Sequence, residues 1–290
     1  MHKLLCIVGP TGTGKTALAI KLTGQEPSIL ISADSRQVYR GMNIVTGKDH
    51  PPGTIIYGLD LVDPDESCSV AVWYDAVMPH FNQAWQENKQ VIVVGGTGLY
   101  VKAITHGIET IGIPVNQQLR DKLLPLSITE LQKKLNQLDP SKFANMNNSD
   151  QNNPRRLTRA IEVTIFRTSH PERAITSRTD LIDSKLIGLR YYDNSNYGSK
   201  IHERVLTRLS LGAIAETKKL MNFASPQALS AIGYRSICAY LHQIISYDQM
   251  IEQWIHDEFS YVKRQLTWFR NIKSIKWYDV NKGGYDYPKN

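Results

Sequence analysis

Eight residues near the start of the chain, Gly9, Pro10, Thr11, Gly12, Thr13, Gly14, Lys15 and Thr16, fit the pattern G-x-x-x-x-G-K-[ST]. Backbone N–H groups of such a loop wrap phosphate oxygens. The required context is present: the apolar run Leu4–Val8 precedes it, and a helical pattern with Ala17, Leu18, Ile20 and Leu22 follows. Lys15 is then expected to reach phosphate oxygens, and Thr16 to ligate Mg²⁺ through its hydroxyl. The pattern specifies a phosphate without saying whose.

The second candidate is Asp34, after the run Ser28–Ser32 and ahead of Ser35, Arg36 and Gln37. A strand over 28–32 beside the first strand puts Asp34 across a cleft from the loop, placed to accept a proton from a nucleophile. Aspartate is also a favoured helix N-cap, and one residue can serve both purposes. The run at 90–94 ends in Gly95-Gly96, without the carboxylate that a triphosphatase uses to hold Mg²⁺. Two chemistries fit. A phosphate-loop small-molecule kinase would bind ATP and use Asp34 to deprotonate a hydroxyl; alternatively, the loop holds a diphosphate leaving group while Asp34 serves the acceptor. A nucleic-acid motor and a non-catalytic RNA-binding module fit less well.

Three further pieces are ambiguous alone. Gly95–Tyr100 is a glycine-rich turn that admits a ligand or simply joins strand to helix. Arg155, Arg156 and Arg159 lie on nearby turns of one helix, as a phosphate-binding cluster or a solvated basic face. Ala231–Arg235 carries no meaning by itself.

Short β-branched runs at 4–8, 28–32 and 90–94, separated by helical patterns such as 70–85, indicate a doubly wound α/β sheet. Its ligands belong at the strand C-termini, where the candidate residues fall. Short polar helices from Gln117 to Leu138 and an Asn-rich stretch, 145–148, suggest a helical insertion over 113–148, although a crossover helix pair also fits. The core is then 1–112 with 149–290. Asn153-Pro154 signals a helix start, Lys185–Tyr191 a strand, and 198–223 and 247–270 long helices.

Of the 290 residues 41% are hydrophobic and 21% charged, ordinary for a globular chain. No run is long enough to span a membrane and the start is unlike a signal peptide, so a cytoplasmic protein is expected. Cys6, Cys68 and Cys238 are far apart, which points to buried free thiols, and the eight histidines show no metal-ligand spacing. The net charge of +7 suits a polyanionic partner. Basic residues concentrate at Arg155, Arg156, Arg159, Arg167, Arg173 and Arg178, and in a helix-like stretch with Lys263, Arg264, Arg270, Lys273 and Lys276.

Together, "GPTGTGKT", "SADSRQVYRGMNIVTGK", "VVGGTGLY", "NPRRLTRAIEV", "AIGYRS" and "KRQLTWFR" resemble the tRNA dimethylallyltransferases in order and spacing, through about Tyr278. The resemblance, closest to the shorter bacterial form, implies an α/β phosphate-loop core, a mostly parallel sheet flanked by helices and a small helical insertion contacting tRNA. It implies transfer of a dimethylallyl group from dimethylallyl diphosphate to N6 of the adenosine immediately 3′ of the anticodon, flipped out of its stack. The loop, although it looks like an ATP site, would hold the donor diphosphate with Mg²⁺. Asp34 would be the general base, and Thr11 and Arg235 would stabilise the leaving diphosphate. Asp34, Ser35, Arg36, Gln37, Thr97, Arg155, Arg156, Leu157, Thr158 and Arg159 match tRNA-contacting positions, as does Glu258–Gln265 with Lys263 and Arg264. A monomer acting on the anticodon stem-loop is expected. The chain departs from the family pattern at Asn43, Val45 and Gly47, at Tyr57-Gly58, and at Leu229, where some members have arginine.

Overall fold

In the computed structural model, which describes residues 2–48, 50–108, 110–171, 182–191 and 194–280, the apolar run before the glycine-rich loop is strand β1 (His2–Val8). Then come α1 (Lys15–Thr23), β2 (Ser28–Ser32), β3 (Ile56–Tyr57), α2 (Val70–Gln86), β4 (Gln90–Gly95) and α3 (Gly98–Thr105). Five helices follow: α4 (Gln117–Leu123), α5 (Ile128–Leu138), α6 (Pro140–Ala144), α7 (Asn148–Gln151) and α8 (Pro154–Ser169). The chain continues with β5 (Ile182–Arg190), α9 (Asn194–Ser210), α10 (Ala213–Leu220) and α11 (Pro226–Leu229). It ends with α12 (Tyr234–Leu241), α13 (Tyr247–Arg270) and β6 (Ile275–Asp279).

The strands pair in parallel in the order β3-β2-β4-β1-β5-β6, an α/β sheet of the expected class. Leu4, Cys6, Val8, Ile31, Val91 and Val93 face one core; Leu5, Ile7, Leu30, Ile92 and Val94 face the other. A sheet covered on both faces needs apolar residues at both phases of the two-residue period, hence the unbroken apolar runs. One expectation is corrected: β2 is not beside β1. Val91–Val94 pair with Ile29–Ser32 on one side and Leu4–Ile7 on the other, so β4 lies between them. Its buried run from Val91 through Val94 suits a strand bonded along both edges. Strands β3 and β6 were not legible in the sequence. The long helix expected over 198–223 is two helices, with Gly212 capping α10. The basic stretch ending at Lys276 is not one helical face either, because α13 stops at Arg270 and Lys276 lies in β6.

The chain divides into two compact units, Met1–Gly107 with Thr179–Asn290, and Ile108–Arg178. The second is larger than the insertion expected over 113–148, and a core of its own explains why. Leu123, Leu131 and Leu135 pack with Leu157, Ala160 and Ile161 of α8, so α8 belongs with the inserted helices. Within this unit, Ser127 and Glu130 form a capping box on α5, and Asn153 caps α8 with Pro154 at its first turn. Cys6 and Cys68 are buried free thiols, while Cys238 is only half-buried. Arg173 and Arg178 lie outside the described residues. Among the described residues no helix is long and apolar enough to cross a membrane.

Candidate active site

Parallel pairing brings the ends of β1, β2 and β4 to one edge of the sheet: Val8 is level with Gly95, and Ser32 with Val94. The phosphate loop, Asp34–Gln37 and the Gly95–Gly96 turn therefore open into the same space, as expected for this fold. Side chains from α9 and α13 and residues 230–232 complete a cleft of about 570 Å³.

The loop is braced from several sides. Thr13 Oγ1 and Lys15 Nζ both donate to Pro10 O, at 2.9 and 2.5 Å. Tyr191 Oη donates to Gly12 O at 3.0 Å, and Thr11 N donates to Gln265 Oε1 at 3.1 Å. Lys15 and Thr16 begin α1, where N–H groups have no intrahelical partners and the helix dipole favours an anion. Burial, reinforced by Arg204 and opposed by Asp34, pushes the Lys15 ammonium down to about 7. An anion entering the cleft would favour its charged form.

Asp34 is half-buried and lines the cleft, and its Oδ1 accepts from Arg36 N at 2.8 Å. It therefore caps its own turn while lining the cleft, and the capping bond engages only one of its two carboxylate oxygens. Ser35 N donates to Thr97 Oγ1 at 3.0 Å, tying two of the expected contact residues to each other. Arg36 Nη1 donates to Gln227 O, and Gln37 Nε2 to Gly47 O, both at 2.8 Å. Arg36 and Gln37 line the cleft but are also struts of its wall.

Two residues absent from the sequence reading stand out. Arg204 and Arg208, one turn apart on α9, line the cleft. Arg208 is 4% exposed, donates through Nη1 to Val45 O at 2.5 Å, and lies 3.8 Å from Glu258 Oε1. Its Nε and Nη2 and the Nε of Arg204 are buried with no hydrogen-bond partner among the described residues. Buried unpaired donors of this kind are rare and call for an explanation, which an anionic ligand would supply. Gly47 makes room for the pair: a Cβ there would lie 1.8 Å from Arg208 Nη2. Burial pushes the Glu258 carboxyl up, and Arg204 opposes this. A sequence signal existed. The apolar stripe Ile201–Val205 reaches its next buried position at Arg208, and the buried stripe of α13 is interrupted by Glu258 and Gln265.

Other expected residues are placed differently. Arg235 does not line the cleft; its side chain is 68% exposed and donates to Asp257 Oδ2 at 2.8 Å. Arg155 to Arg159 belong to the smaller unit and do not share one role. Arg155 and Arg156 are exposed, Arg156 pairing with Asp150. Leu157 is fully buried in the unit's core, so its side chain is not available to a partner, and Thr158 is half-buried. Arg159 is committed internally, to Glu162 Oε2 at 3.0 Å, Thr110 O at 3.0 Å and Ile113 O at 2.8 Å. Lys263 and Arg264 are exposed on α13, and Arg264 lines the cleft with its guanidinium 5.6 Å from the Tyr261 ring centre.

This site lies within a chain whose residues 37–272 match the family model described as IPP transferase, and whose residues 2–53 match that of isopentenyl transferase. A tRNA dimethylallyltransferase from Finegoldia magna is 35% identical, with 96% of this chain and 91% of that protein covered. The chain belongs to the tRNA dimethylallyltransferase family. It is thus an enzyme of the prenyltransferase class. A relative of the same name from Bacillus anthracis is 34% identical over 97% of this chain and 92% of its own length. The crystal structure of the full-length tRNA isopentenylpyrophosphate transferase from Bacillus halodurans superposes with a TM-score of 0.70 at 33% identity, covering 96% and 90% of the two chains. A eukaryotic dimethylallyltransferase solved acting on tRNA shares the fold, with a TM-score of 0.79 at 23% identity over 97% of this chain and 75% of that one.

Proposed function

We propose that this dimethylallyltransferase moves a dimethylallyl group from dimethylallyl diphosphate to N6 of the adenosine immediately 3′ of a tRNA anticodon. The observation that carries this is the set of buried, unpartnered guanidinium N–H groups of Arg204 and Arg208 beside the braced loop. They supply donors for a diphosphate in a cleft that also contains Asp34.

In the reaction the bond between the allylic carbon and the diphosphate oxygen breaks, and the oxygen keeps the electron pair. The amine nitrogen bonds to that carbon and gives up one proton. An allylic carbon tolerates this readily, because developing positive charge is delocalised. The protein has to receive the leaving charge, orient the amine and exclude water. Loop N–H groups from Gly12 to Thr16, Lys15, Arg204 and Arg208 receive the charge. Asp34 accepts the proton, its turn-capping bond fixing the carboxylate. Thr11 helps bind the donor, while the exposed ion pair of Arg235 makes it a weaker candidate than the α9 arginines. Ser35, Thr97, Lys263 and Arg264, and Arg155 and Arg156 on the smaller unit, are the proposed tRNA contacts.

Mg²⁺ fits this site. The Thr16 side chain lines the cleft and has no hydrogen-bond partner among the described residues. Among them no group of three His, Cys, Asp or Glu forms a metal cage, which suits a cation held mainly by phosphate oxygens and water. Thr16 would hold it, and when bound it would add positive charge beside the leaving diphosphate.

Incubating the protein with unmodified tRNA, dimethylallyl diphosphate and Mg²⁺ in ATP-free buffer is expected to give N6-prenylated adenosine and diphosphate, with inorganic pyrophosphate competing against the donor. A requirement for ATP, or phosphate released from ATP in step with product, would return the loop to a kinase.

A further inference from the structure

Glu258 is a buried carboxylate that no step of the proposed reaction uses. It lies on α13, lines the cleft and is 5% exposed. Its hydrogen bonding is sparse: among the described residues it accepts only from Trp254 Nε1, at 3.4 Å. Glu216 on α10 is a contrast. Its carboxylate accepts from the backbone N–H groups of Asn43, Ile44 and Val45 at 2.9, 2.7 and 3.0 Å, and from Tyr234 Oη at 2.6 Å. Glu216 is bonded as a strut; Glu258 is not. What stands beside Glu258 is charge: Arg208 Nη1 at 3.8 Å and Arg204 one turn earlier on α9. Neither guanidinium can shed its proton, and two of them buried together need an anion close by. Room for Arg208 comes from Gly47, one of the positions at which the chain departs from the family pattern.

We propose that Glu258 is a placeholder anion, which neutralises the α9 arginines while the cleft is empty and takes up a proton when a diphosphate binds them. This rests on the diphosphate reading of the site given above. At 3.8 Å the carboxylate balances charge without using the donors. Arg208 Nε and Nη2 and Arg204 Nε stay unbonded among the described residues, ready for phosphate oxygens. Burial, then Asp34 and Asp257, push the Glu258 carboxyl up, while Arg204 and the Trp254 bond oppose them. Asp257 is itself paired with Arg235, and Lys15, Arg36 and Arg264 also line the cleft. A diphosphate engaging the arginines adds to the upward push, and an O–H forms on the carboxyl with a proton from bulk solvent. Binding is therefore strongest where the carboxyl is already protonated, and weakens as pH rises through its empty-site pKa.

The test is calorimetric titration with inorganic pyrophosphate and Mg²⁺, without tRNA. It is run at about pH 8, where a carboxyl balanced by two arginines is ionised, in buffers of different ionisation enthalpy. Glu258→Gln keeps the shape and an oxygen for Trp254 while removing the charge. It is expected to bind pyrophosphate about tenfold or more tightly than the wild type, because like charges a few Å apart repel strongly in a buried site. It is also expected to take up fewer protons on binding, by up to about one. Lys15 and pyrophosphate titrate in both proteins, so the difference between them reports Glu258. Glu258→Met, similar in length and uncharged, covers the case in which the amide variant does not fold. A glutamate that merely orients the arginines would, once replaced, leave binding weaker and proton uptake unchanged. Equal or weaker affinity in a folded variant, or unchanged uptake, overturns the proposal, as does a wild type that does not bind pyrophosphate. Wild-type prenyl transfer is measured in parallel: its failure would count against the donor reading, whereas the comparison of variants reports on the placeholder.

Discussion

Asp34 caps its own turn, and the proposed base role can be separated from that cap by one substitution. Its Oδ1 holds Arg36 N, and asparagine keeps an oxygen able to do the same while losing the basic group. Asp34→Asn is therefore expected to keep its turn and bind tRNA near normally, with turnover falling by about two to four powers of ten. Loss of folding or tRNA affinity with activity only in proportion would make it a cap alone. The arginines separate just as cleanly. Arg204→Ala and Arg208→Ala should each weaken pyrophosphate binding by about ten- to a hundredfold, in the range of a charged hydrogen bond. Arg235→Ala should change it by less than about threefold, because its partner is an exposed ion pair. Calorimetric titration of the three variants with pyrophosphate would reverse this assignment if Arg235→Ala proved the most damaging.

Among the elements, α8 needs the finest division. Arg155 is exposed, and its replacement by alanine should lower the salt-dependence slope of tRNA binding by up to about one unit without touching stability. Filter binding across a salt series reads the slope; an unchanged slope would mean a solvated residue. Arg159 behaves differently, since it and Arg120 hold the buried Glu162. Burial alone would raise this carboxyl, but bonds from Arg120, Arg159 and Asn116 N together hold it below the ordinary glutamate value of 4.5. A group with a depressed folded pKa stabilises the native state fully above its unfolded value, and that stability is lost as pH falls through the lower folded one. The smaller unit should thus weaken on acidification below about 4.5. Arg159→Ala should destabilise it by about 1–3 kcal/mol at neutral pH, an effect visible in thermal melts. A variant as stable as the wild type at pH 7 would return Arg159 to the tRNA-facing group.

Across the whole molecule, what the sequence discloses depends on how local the signal is. The loop, the strands at 4–8, 28–32 and 90–94, and the Asn153-Pro154 helix start are written in runs of a few residues and appear where expected. The position of β4 between β2 and β1 is not, because pairing order is a property of three distant segments. Arg204 and Arg208 escaped notice because charged residues one turn apart usually mark a solvated face. Their burial comes from contact with Val45 and Gly47, far away in sequence. Arg235 shows the converse: a motif position carried over by resemblance whose side chain the fold turns outward.

Strand β1 is an interior strand whose two partners come from distant parts of the chain. Leu4 pairs with Val91 on one side and with Ser184 on the other, so β1 has its second partner only after the inserted helical unit has been synthesised. Until then β1 presents an open, apolar edge, the kind of surface that recruits other chains. A fragment stopping at Gly107 would keep the phosphate loop, Asp34 and the Gly95–Gly96 turn yet leave that edge permanently bare. It is expected to aggregate rather than bind pyrophosphate. Soluble protein that binds pyrophosphate is expected only from fragments long enough to include β5, which comparing fragments that end before and after it would check.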